Sequence, residues 1–148
     1  MSTVLVVDDQ DDIRLLLNAA LTRRGWSVVE AATGREALSL LHEGASPDLV
    51  ILDVQMPDLD GWDTLAAIRG APLASDVPVI LCTVRSRAED VRKAWRLGGD
   101  GYVTKPFSLT ELAEEIDIVT DRTAAERVAV RLARRTSALD AARQRRSG

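Results

Sequence analysis

A chain of 148 residues and 16.1 kDa has room for one ordinary domain and little else. With 46% apolar and 28% charged residues it has the material for a core, which excludes the disordered class for most of its length. One cysteine (Cys82) excludes an internal disulfide framework, one histidine (His42) argues against structural zinc, and no apolar run approaches the ~20 residues that span a membrane.

The opening Met1-Ser2-Thr3-Val4 has neither the basic stretch nor the apolar core of a secretion signal, so a cytoplasmic chain without membrane contact is expected. The net charge of −4 is unevenly placed. Residues 1–121 carry 21 acids against 11 bases, which gives −10, and residues 122–148 carry eight arginines against Glu126 and Asp140, which gives +6. An acidic domain (1–120) followed by a basic tail (121–148) is expected.

Val4-Leu5-Val6-Val7 is short, continuous and rich in β-branched residues, as a strand buried on both faces should be, and it stops at Asp8-Asp9. Ile13, Leu16, Leu17, Ala20 and Leu21 then recur at helical spacing up to Arg23-Arg24-Gly25, with cations and a glycine stop. Trp26-Ser27-Val28-Val29 reads as a second strand, and Thr33 as the cap of a helix through Ala37, Leu38 and Leu41 that ends near Gly44. Leu49-Val50-Ile51-Leu52 is a third strand and ends on Asp53. The turn-rich Met56-Pro57-Asp58-Leu59-Asp60-Gly61 leads to a helix around Leu65 and Ile68. Val77-Pro78-Val79-Ile80-Leu81 is a fourth strand, a helix runs from about Ala88 to Leu97, and Gly101-Tyr102-Val103-Thr104 is a fifth strand. Ser108 caps a last helix with Leu109, Leu112, Ile116 and Val119, and Glu111 has the spacing of a capping box.

Five alternations of strand and helix predict an α/β fold with a doubly wound, five-stranded parallel sheet, helices on both faces, and a C-terminal helical extension. In such sheets ligands collect beyond the carboxyl ends of the strands. That is where Asp8, Asp9, Asp53, Thr83 and Lys105 fall. Carboxylates gathered at one edge repel each other unless a cation joins them or some are protonated. Oxygen ligands favour Mg²⁺. A lysine can hold a phosphoryl oxygen as a point charge, and an aspartate can be a phosphoryl-accepting nucleophile, so phosphoryl transfer is the chemistry implied.

Val6-Val7-Asp8-Asp9, then Leu52-Asp53-Val54-Gln55-Met56-Pro57-Asp58-Leu59-Asp60-Gly61, then Thr83, then Lys105-Pro106-Phe107 resemble the receiver domain of bacterial two-component response regulators, over residues 3 to about 120. The resemblance implies a flavodoxin-like fold of the stand-alone, CheY-like type. It implies Asp53 as phospho-acceptor, Mg²⁺ held by Asp9, Asp53, the Gln55 main-chain carbonyl and, through water, Asp8, and Lys105 on the phosphoryl group. It further implies that Thr83 swings toward the phosphoryl oxygen, that Tyr102 follows it inward as the switch, and that the Lys105–Pro106 bond is cis. The implied partner is a sensor histidine kinase or phosphotransfer protein. Gln55 and Val84 depart from the shorter residues common at these positions, and Val84 is expected to narrow access to Asp53.

Plainer readings stand beside these. Asp8 and Asp9 could merely cap the first helix, Lys105 could be a solvated lysine, and Tyr102 could be filler. Cys82 reads as an inert core thiol, His42 as a solvated cation, and the three tryptophans are too scattered for a stacking surface. Two other functions compete. One is a Mg²⁺-dependent phosphatase with an aspartyl-phosphate intermediate, against which Gln55 argues because an acid usually stands there. The other is a scaffold indifferent to phosphorylation.

The tail lacks proline and glycine over residues 121–146 and reads as helix. Ile118, Ala125, Leu132 and Leu139 fall seven apart, with Val128 and Ala142 partly matching, and Arg135 or Thr136 interrupts the seam. Three readings follow. The tail is a solvated, frayed helix, or a continuation of the last receiver helix that pairs with a second copy, or a basic arm that docks on a partner or on nucleic acid. Nucleic acid is not the expected partner, because no recognition motif accompanies the arginines.

Overall fold

The computed structural model describes residues 2–71 and 76–147. Its strands are β1 (Thr3–Val7), β2 (Ser27–Ala31), β3 (Leu49–Leu52), β4 (Val79–Thr83) and β5 (Gly101–Thr104), and its helices are α1 (Asp11–Arg23), α2 (Gly34–His42), α3 (Gly61–Gly70), α4 (Ala88–Arg96), α5 (Leu109–Asp121) and α6 (Ala124–Ser147). The strands form one parallel sheet in the order β2-β1-β3-β4-β5, as the alternation predicts.

Side-chain alternation along each strand divides the core into two layers. Val4 and Val6 of β1, with Ile51, Ile80 and Val103, meet Leu17 and Leu21 of α1 and Leu112, Ile116 and Val119 of α5. Leu5 and Val7, with Val50, Leu52, Val79 and Leu81, meet Ala37 and Leu41 of α2, Leu65 and Ile68 of α3, and Ala94 of α4. Both faces of the central strands β1, β3 and β4 are therefore dry, which is why those three read as unbroken apolar runs, whereas β2 at the sheet edge exposes Ser27 and Glu30. Burial of each such large side chain is worth roughly 1.5–3 kcal/mol. By that measure α4 is weakly held, since Ala94 is its one fully buried residue and its N-cap, Arg87, makes no side-chain capping bond.

Caps fall as expected. Thr33 Oγ1 accepts from Glu36 N at 3.0 Å and Ser108 Oγ from Glu111 N at 3.0 Å. Two details differ. β4 is displaced by two residues because Pro78 has no N–H to add to the ladder. Its carbonyl instead accepts from Val50 N, and pairing runs on to Thr83 opposite Thr104. Leu16, expected on the buried face of α1, is 47% exposed.

The tail requires a larger correction. It does not continue α5, because the chain turns extended at Arg122 (ψ 141°) and restarts. Thr123 N donates to Glu126 Oε1 at 3.0 Å and Glu126 N donates to Thr123 Oγ1 at 3.1 Å, a reciprocal capping box that starts a new helix. Nor is that helix a frayed, solvated one. It runs back along α4, where Arg134 lies over the Trp95 ring at 4.1 Å and Ala138 is buried. The Arg131 guanidinium reaches Asp100 through Nε (2.6 Å) and Nη2 (3.0 Å) and Asp76 through Nη1 (2.7 Å). Val128, Leu132 and Leu139 of the heptad point to solvent, and the side chain of Ala142 lies outside the described residues.

Candidate functional site at the carboxyl edge of the sheet

Parallel pairing of β1, β3, β4 and β5 brings their carboxyl ends together, and backbone bonds fix the residues just beyond them. Asp8 N donates to Ala31 O (3.1 Å), Asp53 N to Val7 O (2.9 Å) and Lys105 N to Thr83 O (2.7 Å). The loop after Asp53 doubles back so tightly that a Cβ on Gly61 would lie 2.3 Å from the Asp53 carbonyl oxygen and 2.5 Å from Val54 Cα. Glycine is the residue that permits this approach. The Lys105–Pro106 bond is cis, as the resemblance implies.

Carboxylate oxygens of Asp8, Asp9 and Asp53 all lie within 4.8 Å of one another, with Asp8 and Asp53 buried and Asp9 exposed. Lys105 Nζ sits 2.7 Å from Asp8 Oδ2 and 3.2 Å from Asp53 Oδ2. Burial, more than any neighbour, raises the Asp53 pKa. Lys105 opposes the rise and the Asp8 charge adds to it. Burial alone would lower the Lys105 pKa, but its bond to Asp8 and the charges of Asp53 and Asp8 leave it raised. Three carboxylates with one ammonium leave the cluster short of positive charge. An all-oxygen set so spaced fits a hard divalent cation, which would supply that charge.

A cleft of about 170 Å³ opens on the cluster, lined by Asp9, Gln10, Asp53, Gln55, Val84 and Lys105. Gln55 N donates to Asp53 Oδ1 at 3.1 Å, which fixes the carboxylate's orientation. Val84 is 54% exposed and forms part of the cleft wall, as its position beside Thr83 suggests. Thr83 is fully buried at the end of β4, outside that lining, and its Oγ1 accepts from Arg85 N at 3.3 Å. Tyr102 points away from the cluster. Its hydroxyl donates to Arg85 O at 2.6 Å, and its ring meets Trp95 edge-on at 6.4 Å. The helix-capping reading of Asp8 does not hold. Its Oδ1 accepts from Gln10 N just ahead of α1, and Gln10, the N-cap, makes no side-chain capping bond.

Three residues that sequence reasoning passed over matter here. Gln10 lines the cleft and places Oε1 3.5 Å from Lys105 Nζ. Its signal was its place directly after the acid pair. Arg14 donates to Asp8 O at 2.5 Å and bonds Asp11. Asp100, at the opposite edge of the sheet, is buried and holds Arg69 Nη2 at 2.8 Å, Arg131, and Val79 N at 2.8 Å. No local pattern announces it.

Residues 4–117 match the family model for the response regulator receiver domain. A probable transcriptional regulator, ycf27 of Guillardia theta, is 45% identical over 120 residues, which cover 81% of this chain and 46% of that protein. The chain spans about half the length of the curated relatives it matches. Among solved structures, chemotaxis protein CheY4 of Vibrio cholerae superposes with a TM-score of 0.76 at 32% identity, over 80% of this chain and 98% of that one. Response regulator TrrA of Thermotoga maritima, solved in complex with Mg²⁺-BeF, gives 0.71 at 36% identity, over 80% and 99%.

Proposed function

The chain belongs to the response regulator receiver domain family, and on that premise we propose that Asp53 accepts a phosphoryl group from a phosphohistidine on a sensor histidine kinase or phosphotransfer protein. The observation that carries this reading is the meeting of three carboxylates within 4.8 Å beside one lysine at the sheet edge. Residues 1–120 act as the receiver unit and residues 121–148 as its helical tail.

A carboxylate oxygen of Asp53 attacks the phosphorus. The N–P bond of the donor breaks as the O–P bond forms, and the leaving imidazole keeps the bonding pair and takes up a proton. Asp9, Asp53, the Gln55 main-chain carbonyl and, through water, Asp8 would hold Mg²⁺, which would supply charge neutralisation for the transferring group. The Lys105 ammonium, already between Asp8 and Asp53, follows the phosphoryl oxygens as they arrive. Thr83 supplies a hydroxyl donor once it releases Arg85 N, and Tyr102 follows it inward. Attack by water on the acyl phosphate later returns Asp53 as carboxylate and frees phosphate. This self-catalysed cycle needs no separate output enzyme. Gln55 stands where a turnover phosphatase would use an acid, which argues against that rival, and rapid hydrolysis of a chromogenic phosphate ester would favour it.

The acyl phosphate shifts an equilibrium between two states of the partner-binding face. No helix among the described residues is long and apolar enough to cross a membrane, and we place the chain in the cytoplasm with its kinase's catalytic domain. A homodimer, if the tail supports one, would use the outward stripe of Val128, Leu132 and Leu139 together with Ile118, all exposed. The relatives' names concern transcription. Arg131 and Arg134 of this tail are already engaged with Asp100 and Trp95, so nucleic acid is not the partner we propose.

Intact-protein mass after incubation with acetyl phosphate and Mg²⁺ tests the reading. One added phosphoryl group in the parent, absent without metal and absent in Asp53→Ala, is the expected result. Equal modification of Asp53→Ala would overturn the assignment. A scaffold indifferent to phosphorylation would show no gain and equal partner binding by parent and variant.

A further inference from the structure

A continuous set of contacts joins the candidate phosphoryl site to the tail helix. Thr83 Oγ1 accepts from Arg85 N at 3.3 Å, and Arg85 O accepts from the Tyr102 hydroxyl at 2.6 Å. The Tyr102 ring meets Trp95 of α4 edge-on (72° between planes), and the Arg134 guanidinium of α6 covers that indole. Arg85 also faces Asp90 of α4 at 3.6 Å. Every link passes through α4 or the short loop before it, and α4 is a weakly anchored helix, with one fully buried side chain and no side-chain N-cap. An element so held opens at low cost. α6, by contrast, has a firm anchor of its own. Arg131 grips Asp100 and Asp76 at the sheet edge opposite the acid cluster, and one turn further on Arg134 Nη1 donates to Asp100 O at 2.9 Å, a bond that has to yield for Arg134 to leave Trp95.

We propose that α6 is a tethered ligand of α4 that holds the unmodified receiver in one state, and that phosphorylation of Asp53 releases the distal part of α6 from Trp95. This rests on Asp53 being the acceptor. When Thr83 Oγ1 turns to a phosphoryl oxygen, Arg85 N loses its acceptor and the loop into α4 is freed. Tyr102 loses its fixed partner at Arg85 O, and the Trp95 surface on which Arg134 lies shifts. Arg131 keeps the proximal turns tied to Asp100, so the helix swings from that point and the two-residue link Arg122-Thr123 need not unfold. Linkage makes the effect reciprocal for binding. Whatever undocks α6 favours the phosphorylated state by the same factor.

Hydrogen exchange of the full chain, with intact mass read on the same sample, tests this. With Mg²⁺ and acetyl phosphate, amides of residues 134–144 are expected to exchange faster by roughly 5- to 150-fold, the range of ordinary coupling free energies, while those of β1 and β3 stay protected. A one-phosphoryl mass gain with unchanged exchange in α6 overturns the proposal and leaves the acceptor assignment standing. Absence of any mass gain overturns both. In Arg134→Ala without phosphorylation, the same amides are expected to exchange near the phosphorylated rate and beryllofluoride with Mg²⁺ to bind more tightly. Unchanged beryllofluoride affinity with an undocked helix overturns the coupling. Tyr102→Phe serves as a second variant, because it removes one hydroxyl and no packing. It is expected to gain the phosphoryl mass while its α6 response shrinks, and a full response would overturn the route through Tyr102.

Discussion

Asp100→Ala removes a buried carboxylate that four donors share. Arg69 Nη2 lies at 2.8 Å, Arg131 Nε and Nη2 at 2.6 and 3.0 Å, and Val79 N at 2.8 Å. The Asp100 side chain is 1% exposed, and those of Arg69 and Arg131 are 15% and 13% exposed, so solvent screens little of the interaction. Without the carboxylate, the Arg69 and Arg131 guanidinium groups lose the anion they share, although Arg131 keeps its pair with Asp76. Breaking a buried pair on this pattern costs about 3–5 kcal/mol. At about 2–4 °C per kcal/mol for a domain of this size, that is a fall of roughly 10 °C in Tm. Arg131→Ala is expected to cost less, about 1.5–3 kcal/mol, because Asp100 then keeps Arg69 and Val79 N. The double variant should lose less than the two losses added, since removing Arg131 relieves its repulsion with Arg69 once their shared carboxylate is gone. Thermal and urea unfolding of the parent, the two single variants and the double variant check this. A loss in Asp100→Ala no greater than that in Arg131→Ala would refute the reasoning, as would simple additivity.

Three further outcomes are expected. In EDTA, Asp53→Asn should have a higher urea midpoint than the parent at pH 7. Burial raises the native pKa of Asp53 above its unfolded value, so the native state binds the proton more tightly and the parent loses stability as pH rises through that window. The gap between variant and parent should close as pH falls below the unfolded value of about 3.9, and a gap that widens in acid would contradict this. Mg²⁺ at about 100 times its dissociation constant should stabilise the parent by about 2.7 kcal/mol, read as a rise in Tm, and Asp9→Ala should lose most of the effect. Burial pushes the Cys82 thiol up to about 12, so iodoacetamide at pH 8 should label it only after denaturation, as intact mass would show.

The fold was legible wherever burial on both faces made a strand apolar throughout. Leu49–Leu52, buried throughout, has the limits read from sequence, and so does Gly101–Thr104, although its Tyr102 and Thr104 are only half-buried. The acid cluster was legible for a related reason, since Asp8 and Asp53 interrupt such runs abruptly at their ends. β4 was misplaced because Pro78 looks like part of an apolar run, and only the ladder, which sequence does not display, excludes it. The tail was misread for a different reason. Its seven-residue apolar spacing suggested a seam, yet the face that docks is built from Arg131, Arg134 and Ala138, two of which look solvated in isolation. Asp100 gave no warning because Arg69 and Arg131 each lie 31 residues away along the chain.

The two buried acid sites at opposite edges of the sheet are treated in opposite ways, and the difference separates structure from function. Asp100 is saturated, with two guanidinium groups and a backbone N–H satisfying a single carboxylate, so no ligand has a reason to approach it. At the other edge, three carboxylates gather where the Lys105 ammonium pairs with Asp8 and Asp53, and burial raises the Asp53 pKa despite that neighbour. A site left short of positive charge on a rigid frame is unfavourable by itself and becomes favourable when a cation arrives, after which an incoming phosphoryl group meets charges already in place. The saturated site serves the opposite end. By tying Arg131 to the buried start of β4 and β5, Asp100 gives α6 a fixed point, so that movement of α4 alters the contact with Arg134 without carrying the whole tail along.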